Sequence, residues 1–93
     1  MGAGKMTSDN DARRKRLAFR CWHRGMREMD LMLGRFSDRH LPDMDSGQLD
    51  RFEKLLENSD PDLYNWITGR EAQPPDQDSD ILDLLKHFKF HEY

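Results

Sequence analysis

Residues 13–41 read RRKRLAFRCWHRGMREMDLMLGRFSDRHL, and how this stretch divides decides the fold. In its first part Leu17, Ala18, Phe19, Cys21 and Trp22 crowd into an apolar stripe broader than a surface helix needs. From Met26 onward Met26, Met29, Leu33 and Phe36 recur at i, i+3, i+7, i+10, with Met32 at the edge, which is helical spacing. A single helix over 13–39 would carry Gly25 near its middle, at about 1 kcal/mol relative to alanine. Glycine supplies the left-handed residue that closes a helix, so the spacing predicts a helix, a tight turn at Gly25 and a second helix. Gly34 falls inside the second helix, where it allows close packing or a kink.

Working downstream, Pro42 pushes Leu41 out of the α region and ends that helix. Asp45 with Gln48 resembles a capping box before the stripe Leu49, Phe52, Leu55, Leu56. Asp60-Pro61 reads as a cap and a first-turn proline for a short helix carrying Leu63, Trp66 and Ile67, closed by Gly69. Residues 71–77 (EAQPPDQ) form a linker. Asp78 or Ser79 then caps a last helix with Ile81, Leu82, Leu84, Leu85 and Phe88. No strand alternation and no internal repeat appear. The expectation is an all-α fold, a small five-helix bundle forming a single domain over 13–93, with residues 1–12 (MGAGKMTSDNDA) as a disordered N-terminal tail.

Ninety-three residues make one small domain. No apolar run reaches the ~20 residues needed to span a bilayer. The start lacks an apolar signal region, Asp9 and Asp11 speak against a transit peptide, and Met6 stands where a myristoylation signal wants Ser or Thr. A single cysteine, Cys21, suits a reducing compartment. These features predict a cytoplasmic protein without membrane insertion. The net charge of −3 hides polarity: residues 1–40 hold 10 Lys/Arg against 5 Asp/Glu, and residues 41–93 hold 5 against 13. Halves of +5 and −8 suit an oriented partner surface, and equally suit ordinary solvated helix faces.

Several constellations could carry chemistry. His87 and His91 share a helical turn at i, i+4, but no third metal ligand stands nearby. Cys21 with His23 or His40 would make a nucleophilic pair only if the fold placed a base beside the thiol. Arg13-Arg14-Lys15-Arg16, followed by Arg20, Arg24 and Arg27, could track phosphates while Phe19 and Trp22 stack on bases. Overall acidity and the absence of a reading module oppose nucleic-acid binding. Met26, Met29 and Met32 could make an adaptable docking surface, though methionines at this spacing more often sit in a core. Arg24-Gly25-Met26-Arg27-Glu28 remains. Gly25 removes a side chain that would block an approaching partner, Arg24 offers a fork of donors, and Glu28 sits in the first turn of the second helix. A plain helix cap with an Arg24–Glu28 ion pair, worth about 0.3–0.5 kcal/mol, explains the motif equally well.

Three stretches break that tie by resemblance: Cys21-Trp22-His23-Arg24-Gly25-Met26-Arg27-Glu28-Met29-Asp30, Phe52-Glu53-Lys54-Leu55-Leu56-Glu57, and Asp60-Pro61-Asp62-Leu63-Tyr64-Asn65-Trp66. Together they resemble the succinate dehydrogenase flavinylation and assembly factor family, the SdhE type, over roughly residues 13–90. The resemblance implies a small five-helix chaperone that binds the flavoprotein subunit of succinate dehydrogenase and, in bacteria, of fumarate reductase. It further implies that such a factor promotes covalent attachment of FAD to a histidine of that subunit, without being an enzyme or holding a cofactor of its own. By the same resemblance Arg24, Gly25 and Glu28, with Met26 and Arg27 between them, form the partner-binding surface; a monomer is the expected working form. The alternative reading is a small basic-helix nucleic-acid-binding or regulatory protein.

Overall fold

The computed structural model describes residues 2–88, with side chains from Asn10 onward. Five α-helices follow in order: α1 Gly2–Trp22, α2 Arg27–His40, α3 Ser46–Leu55, α4 Asp60–Thr68 and α5 Asp80–His87. Single turns of 3-10 helix lie at Leu41–Asp43 and Pro75–Gln77. No strand occurs among the described residues. The all-α, five-helix architecture is the one the periodicity predicts.

The break falls where glycine allows it. Helix α1 ends at Trp22, Gly25 takes φ +107°, and α2 starts at Arg27. Met26, the N-cap of α2, has no capping side chain. Asp30 in the first turn of α2 instead holds the elbow that precedes it: its Oδ1 accepts from the Arg24 amide and, at 3.3 Å, from the Gly25 amide. At α3 the capping box forms: the Gln48 amide donates to Asp45 at 2.8 Å and the Asp45 amide donates to Gln48 at 3.1 Å. Gly69 closes α4 in the left-handed region, and Ser79 caps α5. At α4 one expectation shifts by a residue. Ser59 is the cap, accepting from the Asp62 amide, and Asp60 is the first helical residue with its carboxylate free for other use.

Helix α1 starts earlier than the periodicity places it, since its backbone is helical back to Gly2 rather than from Arg13. No proline interrupts residues 2–12, so a helix anchored by buried Leu17 and Cys21 propagates N-terminally without an apolar stripe of its own. Whether residues 1–12 stand apart from the domain concerns side chains that lie mostly outside those described.

One core joins the five helices, with Leu17 and Cys21 from α1, Leu33 and Phe36 from α2, Phe52 from α3, Leu63 from α4 and Ile81 from α5 all sealed from solvent. Each contributes roughly 1.5–3 kcal/mol when fully buried, cysteine less. Met29 is core, while Met26 and Met32 pack against its edge. The broad stripe of α1 thus splits: Leu17 and Cys21 point in, Trp22 is half-buried against α2, and Phe19 remains 64% exposed. Gly34 explains how Trp22 fits. A Cβ at that position would overlap the indole ring, so the missing side chain lets α1 and α2 close on each other. Trp22 Nε1 also donates to Asp38 at 3.3 Å.

Much of the basic run is spent on holding helices together. Arg13 bridges Asp50 at 2.6 Å and Glu53 at 2.8 Å on α3. Arg14 donates to the Leu41 carbonyl at 3.0 Å and the Met44 carbonyl at 2.7 Å. Arg51 pairs with Asp80 at 2.7 Å, which ties α3 to the start of α5. That pairing holds the Asp80 carboxyl below the usual carboxylate range.

Candidate functional site

The elbow between α1 and α2 presents two sides. Its inner side is Arg24. The guanidinium turns into the protein and each nitrogen is engaged: Nε donates to Asp60 Oδ1 at 2.8 Å, Nη1 to the Leu56 carbonyl at 2.7 Å and Nη2 to the Asn58 carbonyl at 2.8 Å. Arg24 and Asp60 are each only 11% exposed at the side chain. The Arg24–Glu28 ion pair of the helix-cap reading does not form, because three acceptors on the α3–α4 turn take the fork instead. A bidentate-capable planar group suits such a set of fixed acceptors better than a point charge does.

The outer side is Gly25, Arg27 and Glu28, all exposed, with Met26 half-buried between them. Gly25 has open space where a Cβ would go, so glycine is demanded here by φ rather than by crowding inside the protein. The same open space means a partner's backbone meets nothing at this point. Glu28 lies in the first turn of α2 as the spacing predicts. The charged ends of Arg27 and Glu28 form no ion pair or hydrogen bond with any other described residue. Sequence reasoning therefore grouped five residues of two kinds: four that face outward or edge outward, and one that braces them from beneath.

Beside the elbow lie exposed groups left out of the five-residue set. Phe19 stacks on His23 with ring centroids 4.0 Å apart and planes at 19°. The His23 ring nitrogen Nδ1 lies 2.8 Å from the Phe19 carbonyl. Leu31 on α2, one turn beyond Arg27, is 38% exposed. The signal for Phe19 was present in the sequence, since a stripe too broad for one face must leave a member outside.

The other candidates lose their chemistry. Cys21 is fully buried, and that burial pushes its thiol up to about 12, so it is no nucleophile. His40 packs between Phe36 and Phe88, at 4.6 and 5.7 Å, and burial lowers its affinity for a proton, helped by neighbouring Arg39. His91 lies outside the described residues, and its partner His87 is exposed with Nδ1 2.8 Å from the Asp83 carbonyl. Among the described residues no three His, Cys, Asp or Glu side chains converge as a metal would need. No helix of the described chain is long and apolar enough to cross a membrane.

A family model described as the flavinator of succinate dehydrogenase matches residues 15–89, which takes in the elbow and all of the helices that brace it. The chain is 34% identical over 80 residues to succinate dehydrogenase assembly factor 2, mitochondrial, of Dictyostelium discoideum, covering 86% of this chain and 57% of that protein. It is 37% identical over 76 residues to the protein of that name from Drosophila grimshawi, covering 80% and 52%. For Drosophila virilis the figures are 38% over 76 residues, 80% and 48%. The chain thus spans about half the length of the curated relatives it matches.

Proposed function

Because the chain belongs to the family of flavinators of succinate dehydrogenase, we propose that it is an assembly factor that binds the flavoprotein subunit of that enzyme. Its task is to promote covalent attachment of FAD to that subunit, and fumarate reductase, with its related subunit, is a second client. One observation carries this reading most directly. The stretch that bears the family resemblance forms a surface with Gly25, Arg27 and Glu28 outward, the charged ends of Arg27 and Glu28 without a partner among the described residues, fixed from behind by Arg24.

Physical chemistry gives such a surface enough to do. Holding reacting groups in the right geometry can remove about 7–11 kcal/mol of entropic and solvent-reorganisation cost. A factor that fixes the partner's closed arrangement around FAD needs no catalytic group. The buried, protonated thiol of Cys21 accords with that. FAD belongs to the partner, and this chain carries no cofactor of its own. It works as a monomer, in the compartment where the unassembled flavoprotein subunit is folded: the cytoplasm in a bacterium, or the mitochondrion for relatives named as mitochondrial. The nucleic-acid reading loses support because Arg13 and Arg14 are committed to α3 and to the Leu41–Met44 turn.

Glu28→Ala tests the proposal most cleanly, because an exposed, unpaired carboxylate contributes within about 0.5 kcal/mol to stability. Gly25→Arg adds backbone strain of about 1–3 kcal/mol at positive φ. In cells lacking the native factor, Glu28→Ala should leave the melting temperature in place and lower flavin fluorescence of the subunit in denaturing gels. Full covalent flavin with Glu28→Ala would refute the assignment of this surface.

A further inference from the structure

We infer that Asp60 is a positioning residue for the elbow: it shapes the flavoprotein interface only through Arg24, which it locks against the α3–α4 turn. The inference rests on the elbow being that interface, as proposed above.

Two stretches far apart in sequence meet at one point. Arg24 stands before Gly25 in the elbow, and Asp60 opens α4, 36 residues later. The contact is nearly closed to solvent, with both side chains 11% exposed. Ser59 already caps α4, so the Asp60 carboxylate is not needed as the cap. The two carbonyls that complete the set, Leu56 and Asn58, sit on a turn that is itself held: Asn58 Nδ2 donates to the Leu55 carbonyl and to Gln77 Oε1, both at 2.9 Å. Arg24 is therefore gripped by a fixed cradle.

The elbow needs such a grip. Glycine at positive φ has more backbone freedom than any other residue, so Gly25 is where the chain would wander. One constraint comes from α2, where Asp30 holds the Arg24 and Gly25 amides. Met26 packs against the core edge, and the side-chain hydrogen bonds that run from the elbow to the α3–α4 region, among the described residues, are those of the Arg24 cradle. Remove the Asp60 carboxylate and a guanidinium is left almost buried with neutral acceptors alone. The elbow then spends time unlocked, and apparent affinity falls by the fraction still competent.

The test compares purified Asp60→Ala, Asp60→Asn, Glu28→Ala and Arg13→Ala with the native protein. Arg13→Ala removes a different α1 ion pair, to α3, away from the elbow, and serves as the control for stability loss alone. Amide exchange at residues 23–27, affinity for the isolated flavoprotein subunit and melting temperature are measured for each. Asp60→Ala should speed exchange at 23–27 and weaken binding about tenfold, matching an elbow competent about 10% of the time. Asp60→Asn should recover part of both, and Arg13→Ala should change neither at an equal loss of melting temperature. Native exchange and affinity in Asp60→Ala while Glu28→Ala fails to bind would overturn the clamp alone. A matching loss of affinity in Arg13→Ala would overturn it too, by reducing Asp60 to general stability. Normal binding by both Glu28→Ala and Asp60→Ala would sink the interface reading itself, and exchange at 23–27 would still report whether the lock exists.

Discussion

Gly34→Ala places a methyl where the Trp22 indole lies. Three ring atoms fall inside the new Cβ, the farthest of them 2.5 Å away. Ordinary carbon–carbon contact needs about 3.5–4.0 Å, so the indole must withdraw by about 1 Å or more, or α1 and α2 must part. Backbone and a rigid bicyclic ring give way poorly, and overpacking of this kind costs about 1–3 kcal/mol. Withdrawal also strains the Trp22–Asp38 hydrogen bond, worth about 0.5–1.5 kcal/mol. Against this stands a gain of about 1 kcal/mol from alanine's better helix propensity. The net expectation is a loss of about 1–3 kcal/mol. At this chain length each kcal/mol moves the melting temperature by about 4–8 °C, so a fall of roughly 4–24 °C should appear in thermal circular dichroism. The same substitution in a Trp22→Leu background should be neutral or stabilising, because the clash has gone and the propensity gain remains. A higher melting temperature for Gly34→Ala alone would refute the reasoning, as would an equal loss in both backgrounds.

Acid should weaken the fold through His40. Burial against Phe36 and Phe88 lowers its folded affinity for protons below the unfolded value near 6.5, with Arg39 adding to the effect and Asp43 opposing it. The unfolded chain therefore binds more protons in this range, and stability falls as pH drops from about 7.5 through 6.5. Urea melts at pH 7.5 and 5.5 should show the loss, and His40→Phe should remove most of that slope; an unchanged slope would exclude His40 as its source. Cys21, with a thiol pushed up to about 12, should react with an aromatic disulfide reagent only on the timescale of unfolding and at once in denaturant. Rapid stoichiometric labelling of the native protein at pH 8 would contradict its burial.

Local signals were legible in this sequence, and destinations were not. The Asp45–Gln48 box and the Gly69 closure rest on residues three or four apart, so the spacing carries the whole interaction. Gly25 could be placed as a turn because a single helix over 13–39 would carry it near its middle, where glycine is costly, and glycine closes helices well. Arg24 could be marked as unusual, yet its partners lie 32 to 36 residues away, and two of the three are backbone carbonyls that leave no trace in residue type. For the same reason Arg13 and Arg14 look like a solvated charge run until α3 is seen beneath the first and the Leu41–Met44 turn beneath the second. Ser59 displaced Asp60 as the α4 cap because both can accept a helix amide and only the tertiary contact to Arg24 chooses between them. Early helical growth of α1 escaped notice for a different reason, since a helix extended from a packed turn needs no periodicity to continue.

The Arg24–Asp60 contact also has a place in time. During synthesis the elbow leaves the ribosome first, and its anchor follows 36 residues later. At about 5–20 residues per second that interval lasts about 2–7 s. Throughout it α1 and α2 can already pair with each other, since their contacts are local and form quickly. The elbow they share has nothing to grip until Asp60 emerges and α4 docks. Under the proposed function, a nascent chain is a poor ligand for its client until α4 has docked, and translation itself delays the first encounter.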